Sequence, residues 1–564
     1  MVQAAIPAEA LPPAAAPAVG DAAAAWITRA AQPLRRNEGG PLAGLAFAAK
    51  DNIDAAGLPT TAGCPAFAYL PQADATVVRK LLDAGARLAG KTNLDQFACG
   101  LNGTRSPYGA VPNAFNPAYV SGGSSSGSAY VVASGQADFA LGTDTAGSGR
   151  VPAGLNNIVG LKPTRGLVSA AGAVPAAQSV DCISIFAGSV GLAAQVLAQA
   201  MGSDARDPYS REVAMASRPF GARFRFGVPD SLAFFGDELA RTAFQHAVAQ
   251  LRELGGQAVT IPYAPLAEAA ALLYESALVA ERYAAIRHFF DGHEHQVMEP
   301  VRSIIAGGHA YSAADLCEAQ ARVRALGQLA APMWDRIDVL LLPTAPTHFT
   351  IAQMRAEPVA LNRQLGAYTN FVNLLDYAAL AVPSSLRPDG LPFGITLVGP
   401  CGSDWQLAEL GQRFHHATGL TLGATGQALP PPRPIPGLAA PATIQLAVVG
   451  AHLSGMPLNG QLTGRDAQLL ERTETAPDYR LFALAGTDRA GDLGNAARAL
   501  RLVRRRRPIA ARDRHAGAGR WPQRAGIPVR GRGCAGRTRH LAPRGLARVP
   551  GLARHPVPLT GELP

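Results

Sequence analysis

The sequence predicts an α/β protein, a large sheet covered by helices with a small C-terminal α+β unit behind it. Three observations predict this. Apolar runs of strand length alternate with amphipathic runs of helix length from about residue 41 to residue 426. Proline-dense residues 427–442 interrupt the pattern as a stiff linker. The 564 residues also exceed the usual size of one compact core.

In chain order, residues 1–25 form an Ala/Pro-rich lead-in, and 26–426 form the main domain. Within it, residues 45–49 read as a buried strand, 75–84 as an amphipathic helix and 87–89 as the start of the next strand. Residues 125–135 read as a helix opened by a Ser/Gly loop, 139–142 as a strand and 143–149 as a tight turn of small residues. A helix at 266–288 and strands at 339–342 and 393–398 continue the alternation. A second unit occupies 443–486, opening with a strand at 444–450 followed by HLSGMPLN at 452–459. Over 487–564 the periodicity is lost and arginine runs such as 504–507 take over. That tail reads as a disordered appendage or a frame-shifted end that truncates the second unit.

Charge and composition remove several function classes. The formal net charge of +10 would suggest a nucleic-acid partner, but residues 488–564 alone hold 18 arginines, no lysine and 4 acids, a charge of +14 that leaves the preceding body at −4. No apolar run is long enough to span a bilayer, so no membrane partner is expected. Residues 1–28 lack the basic start and apolar block of a secretory signal. The six cysteines are scattered without CxxC pairs, which suits reduced thiols in a cytoplasm and assigns no metal.

Lysine is rare, with Lys50, Lys80, Lys91 and Lys162 set against 47 arginines. Lys50 ends an apolar strand in AAKDNID. Arginine keeps its proton to about pH 12, whereas a buried lysine can lose several units and act as a base. The alternative is a structural ion pair with Asp51 or Asp54, and Lys50 alone leaves both open. Two small-residue loops, SGGSSSG at 121–127 and the GTDTAGS stretch at 142–148, flank one helix and one strand. Glycine lets backbone N–H groups approach a substrate oxygen, as an oxyanion hole requires. Flexible loops or an anion-binding helix start are the competing readings.

Together Lys50, GGSSSGS at 122–128 and GTDTAGS at 142–148 resemble the amidase signature family, whose first serine after the glycine pair stands 24 positions before the nucleophile, as Ser124 stands before Ser148. The resemblance implies an amidase-signature fold with a mixed β-sheet core. It makes Ser148 the nucleophile, bridged to Lys50 by Ser124 on a cis Gly123–Ser124 peptide. The backbone N–H groups of Thr145, Ala146, Gly147 and Ser148 would form the oxyanion hole, and no metal or organic cofactor is required. Asp144 and Arg150 are expected to brace the turn as an ion pair.

The stretches 50–69, 93–109, 278–286 and 447–462 are similar to the allophanate hydrolases within that family, over about residues 25–485. This implies hydrolysis of allophanate, a small anionic urea derivative, to ammonia and carbon dioxide in urea degradation. It also implies a functional link to urea carboxylase and a homodimer. A carboxylate calls for a cation with directional donors, and the resemblance gives that role to Arg282 with Tyr274. Eight residues of helix span about 12 Å and side chains lean toward the N-terminus, so Arg282 can reach back to Tyr274. Pairing of Arg282 with Glu281 is the structural alternative.

Lys91 and Lys162 carry no chemistry derivable from sequence and read as structural. His288, His293, Glu294 and His295 lack the HExxH spacing of a metal site. Residues 123–127 also satisfy G-x-S-x-G, which would make Ser125 an esterase nucleophile. Other rivals are another amidase-signature amidase, the A subunit of a tRNA-dependent amidotransferase, and an Arg-rich nucleic-acid binder.

Overall fold

A computed structural model describes residues 23–438, 443–448, 452–463, 468–473 and 500–506. The chain divides into two compact units between Ala440 and Pro441.

Eleven strands of the first unit form one mixed sheet. They are β1 (Trp26–Leu34), β2 (Ala46–Lys50), β3 (Arg87–Thr92), β4 (Phe139–Asp144), β5 (Val159–Lys162), β6 (Cys182–Ala187), β7 (Phe224–Pro229), β8 (Gly256–Ile261), β9 (Val339–Pro343), β10 (Ala378–Leu386) and β11 (Pro392–Gly399). Their order is β1-β3-β2-β4-β6-β5-β10-β11-β9-β7-β8. The pairs β2–β3, β2–β4, β7–β8 and β7–β9 are parallel, and the others are antiparallel. Every residue of β4, β5, β6, β9 and β11 is buried, because helices cover both faces of the sheet centre. Phe47 of β2 and Phe139 of β4 stack across neighbouring strands at 5.2 Å. At the edge, β1 tolerates Pro33 because an outer strand has an unpaired side.

The helices that matter for the site are α1 (Thr76–Asp83), α2 (Ser126–Ala133), α3 (Val151–Leu155), α4 (Val190–Ala200), α5 (Glu238–Glu253), α6 (Ala264–Glu275) and α7 (Ala280–His293). All eight residues of α2 are buried, which suits its small and apolar sequence SGSAYVVA.

Two expectations are corrected. The single helix at 266–288 is broken at Ser276, whose backbone is extended at φ −139° and ψ −179°. The Ser276 hydroxyl donates to Leu272 O at 2.6 Å and accepts from Leu278 N at 3.3 Å, ending α6 and starting a short 3-10 turn that leads into α7. The strand expected to end at residue 142 runs on through Thr143 and Asp144, so the turn begins two residues later. Antiparallel pairing of Thr143 with Ile183 and Asp144 with Cys182 extends it.

Residues 427–438 contain no helix or strand but lie against the helix Asp404–Thr418. Gln412 on that helix exchanges two hydrogen bonds with the Arg433 backbone, at 2.7 and 3.1 Å, and Ile435 is buried.

The second unit holds a three-stranded antiparallel sheet of β12 (Thr443–Val448), β13 (Gln468–Thr473) and β14 (Leu500–Arg506), with β14 in the middle. Strand β14 falls within the arginine-rich tail. The readings of residues 1–22, 487–499 and 507–564 lie outside the described residues.

Candidate active site

Lys50 ends β2, which pairs in parallel with β3 on one side and β4 on the other, its own register partner being Thr92 of β3. The amine is fully buried and donates to Ser124 Oγ at 2.7 Å and Thr143 Oγ1 at 2.6 Å. Burial lowers its pKa to about 7, against the opposing pull of Asp95, Asp181 and Asp144. The alternative ion pair is absent: Asp51 pairs with Lys91 instead, at 3.5 Å and fully buried. Lys91 thus takes the structural place expected of it, and Lys162 donates to Pro163 O at 2.8 Å.

The Gly123–Ser124 peptide is cis. A Cβ at Gly123 would overlap Asp95 Oδ2 and lie 2.7 Å from both Asn102 N and Gly103 N, so only glycine fits. Asp95 holds the loop that follows, accepting from Asn102 N and Gly103 N at 3.1 Å and from Arg105 N at 3.0 Å. Ser148 is buried, and its hydroxyl donates to Gly100 O in this loop at 3.4 Å. No hydrogen bond joins Ser148 to Ser124, so the structure contains the Lys50–Ser124 half of the expected relay and not its second half.

Beyond β4 the turn is built on a buried ion pair. Arg150 donates to Asp144 through Nε at 2.9 Å and Nη2 at 3.0 Å, both side chains fully buried. Burial alone would raise the Asp144 carboxyl, but Arg150 beside it holds it below its ordinary value. The carboxylate also accepts from Gly147 N at 2.9 Å and Gly149 N at 3.0 Å, which folds the turn around it. Gly147 departs from the oxyanion-hole expectation for this reason, since its N–H is already committed. The N–H groups of Thr145, Ala146 and Ser148 have no acceptor among the described residues. Gly147 has φ +128°, and a Cβ there would overlap Thr369, whose hydroxyl donates to Ala146 O at 2.7 Å.

On a third side, Arg282 of α7 donates through Nη2 to Tyr274 Oη of α6 at 3.2 Å, with its guanidinium 5.0 Å from the ring centre. The two meet across the Ser276 break rather than along one helix. Glu281 does not hold Arg282; it accepts from Ser179 N and Oγ at 3.0 and 2.6 Å. Arg282 is 4% exposed and its Nη1 has no partner. Asp181 faces this region, half-buried, with burial raising its pKa to about 6 despite hydrogen bonds from Thr145 and the backbone of Ala176 and Ala177.

Besides a cavity of about 390 Å³ that reaches Tyr274 and Asn370 from the side of Tyr263 and Tyr368, two more approach these residues. One of about 690 Å³ reaches Thr143 and Asp181 from the segments around Tyr69, Gly172 and Asp207. The other, about 240 Å³, is lined by Leu101, Arg105, Tyr274, Tyr311, Asn362 and Asn370 among others. The smaller one adjoins the nucleophile turn, because Leu101 follows the Gly100 carbonyl that receives Ser148 and Asn370 follows the Thr369 that packs on Gly147.

The sequence reading missed Thr143 as the second partner of Lys50, the Asp95 clamp, and the Thr369–Asn373 segment, although Thr143 stood inside a quoted motif. Asn373 Nδ2 donates to Asp144 O at 2.6 Å. Ser125, the rival nucleophile, donates to Thr143 O at 3.2 Å and has no histidine partner. Among the described residues no cluster of three or more His, Cys, Asp and Glu side chains could hold a metal, and no helix is long and apolar enough to cross a membrane.

Comparison with known proteins follows the same division of the chain. A family model described as Amidase matches residues 13–408, and one described as allophanate hydrolase C-terminal domain matches 444–498. Urea amidolyase of Saccharomyces cerevisiae is 46% identical over 79% of this chain, which covers 25% of that protein. A glutamyl-tRNA(Gln) amidotransferase subunit of Haloarcula marismortui is 35% identical over 66% of this chain and 95% of its own length. The solved allophanate hydrolase of Kluyveromyces lactis superposes with a TM-score of 0.69 at 42% identity, covering 82% of this chain and 79% of that one.

Proposed function

Because this chain belongs to the amidase family, we propose that it hydrolyses allophanate, using Lys50, Ser124 and Ser148 as its catalytic relay. The observation that carries the substrate assignment is Arg282, a buried guanidinium with an unpartnered Nη1 held against Tyr274. The unspent Nη1 leaves this guanidinium one donor short of a full set of partners, and an anion would complete it. A carboxylate, taken bidentately, is the fitting partner. A cavity of about 240 Å³ suits a substrate of a few heavy atoms.

In this reading Lys50 is neutral at work. The Ser148 hydroxyl turns from Gly100 O toward Ser124 and attacks the ureido carbonyl. Its proton passes to Ser124 Oγ as the Ser124 proton moves to Lys50 Nζ. The developing oxyanion is met by the free N–H groups of Thr145, Ala146 and Ser148, each worth roughly 3–4 kcal/mol in comparable sites. Collapse returns the proton through the same path to the leaving nitrogen and releases ammonia. Water then repeats the relay on the acyl-enzyme and frees a carboxylated carbamate, which breaks down to ammonia and carbon dioxide. The reaction that must supply such a substrate is a carboxylation of urea, the link to urea carboxylase.

The test is ammonia release by the purified chain, without ATP or tRNA, from allophanate against biuret, malonamide and glutamine. Preference for allophanate, lost in Ser148→Ala, is expected. Turnover of glutamine that requires misacylated tRNA would overturn the reading in favour of a tRNA-dependent amidotransferase.

A further inference from the structure

Resting on that reading, Asn370 offers an amide that the rest of the molecule does not use. The side chain is 7% exposed, and its Oδ1 is buried without a partner. A polar atom left unpaired in the interior is costly, and where it borders a cavity a bound N–H can complete it. Its neighbours are committed to the nucleophile turn. Thr369 Oγ1 donates to Ala146 O, Arg150 Nη2 donates to Thr369 O at 3.1 Å, and Asn373 Nδ2 donates to Asp144 O. The backbone of Asn370 is therefore fixed one residue from a contact with that turn.

Asn370 also lines the small cavity beside Tyr274 and Leu101. The second asparagine in that wall, Asn362, accepts from Leu101 N and Asn102 Nδ2, both at 2.8 Å. Arg105 in the same wall gives Nη1 and Nη2 to Cys99 O and Pro358 O, leaving only its Nε unpartnered. Arg363 pairs with Glu275 at 3.2 Å. Among the asparagines of the cavity wall, Asn370 is the one whose buried side-chain acceptor is unspent. The cationic Arg282 accounts for a carboxylate. A neutral amide acceptor accounts for an N–H.

We propose that Asn370 is a specificity-determining residue whose side-chain oxygen accepts the bridging N–H of a ureido carboxylate, the group that separates this substrate class from its carbon analogues. The amide can present its oxygen by a half-turn about Cβ–Cγ, since no internal hydrogen bond restrains it.

The experiment compares the whole chain with Asn370→Leu on two substrates. Allophanate has the bridging N–H, and malonamate replaces it by a methylene while keeping the amide and the carboxylate. The expected result is a fall of about 10-fold or more in kcat/KM for allophanate, with malonamate turnover within 3-fold of wild type, a difference of the size a single buried hydrogen bond produces. Retained malonamate turnover also shows that the variant folds. Equal losses on both substrates, or no loss on allophanate, overturn the assignment. Asn370→Ser, which keeps an acceptor, is expected to recover part of the allophanate rate, and failure to exceed the leucine variant counts against it. A wild-type chain that hydrolyses malonamate and not allophanate fails at the earlier step, the functional reading itself.

Discussion

Lys50 Nζ lies 2.6 Å from Thr143 Oγ1, in addition to its 2.7 Å contact with Ser124. A neutral amine has two N–H donors and one lone pair. If Thr143 takes one N–H, the lone pair is left to face Ser124, as proton transfer from that hydroxyl requires. Thr143→Val is therefore expected to lower kcat about 10-fold, roughly 1.4 kcal/mol, with KM little changed. Thr143→Ser keeps the acceptor and is expected to retain most of the rate. Steady-state kinetics of the two variants on one amide substrate distinguish this from a packing effect, which serine would not repair.

The same amine sets a pH dependence. With its pKa near 7, the required neutral form accumulates as pH rises, so kcat/KM should climb through an acid limb centred near pH 7 and level above it. Stability moves in the same direction. Between about 7 and the ordinary 10.5 the unfolded chain binds a proton that the folded chain does not, so unfolding becomes harder as pH rises across that window. Lys50→Met should cut turnover by at least about 100-fold. It should also flatten this rise in urea midpoints measured from pH 7 to 10. A variant that keeps the limb would show that another group titrates.

How much of this was legible in the sequence depends on how local each feature is. Lys50, Ser124 and the turn after β4 stand in short motifs, and the ends of parallel strands β2 and β4 bring them together as such sheets commonly do. The strand β1 was passed over because WITRAAQPL is an edge segment of half-exposed residues without a buried stripe. The break at Ser276 was passed over because the apolar pattern continues through it. A hydroxyl that caps one helix turn and closes another leaves no trace in periodicity. Thr369 and Asn373 meet the turn from more than 200 positions away, at separations of 223 and 229 residues. Their role exists only once β10, which follows them, has paired with β5.

The Asp144–Arg150 pair makes a prediction about stability. Arg150 is fully buried and also donates to Thr369 O and to Asn373 Oδ1 at 3.2 Å. Arg150→Met would strand the Asp144 carboxylate in the interior, a loss of about 3–5 kcal/mol. The expected reading is a lower urea midpoint with activity lost in parallel. Asp144→Asn with Arg150→Met should recover part of the stability, because the uncompensated charge is gone, while the turn remains impaired.

Arg282 and Tyr274 make the sharpest claim about substrate. The guanidinium spends Nη2 on the phenol and keeps Nη1 unpaired in a buried position. For an anionic substrate, Arg282→Met removes the partner of the carboxylate, and truncating one member of a buried charge pair costs about 2–5 kcal/mol. A fall of about 100-fold or more in kcat/KM for allophanate is therefore expected, most of it in KM. Malonamide, which has no carboxylate, should lose little. Arg282→Lys should fail to restore allophanate, since an ammonium cannot offer the two parallel donors. Tyr274→Phe should have a smaller effect of the same kind, because it frees the guanidinium from its single side-chain partner without removing the charge. If malonamide and allophanate fell together in Arg282→Met, the residue would be holding α7 in place rather than reading the carboxylate, and the choice of substrate would have to rest on another cation, of which the cavity wall holds Arg105 and the Glu275-paired Arg363.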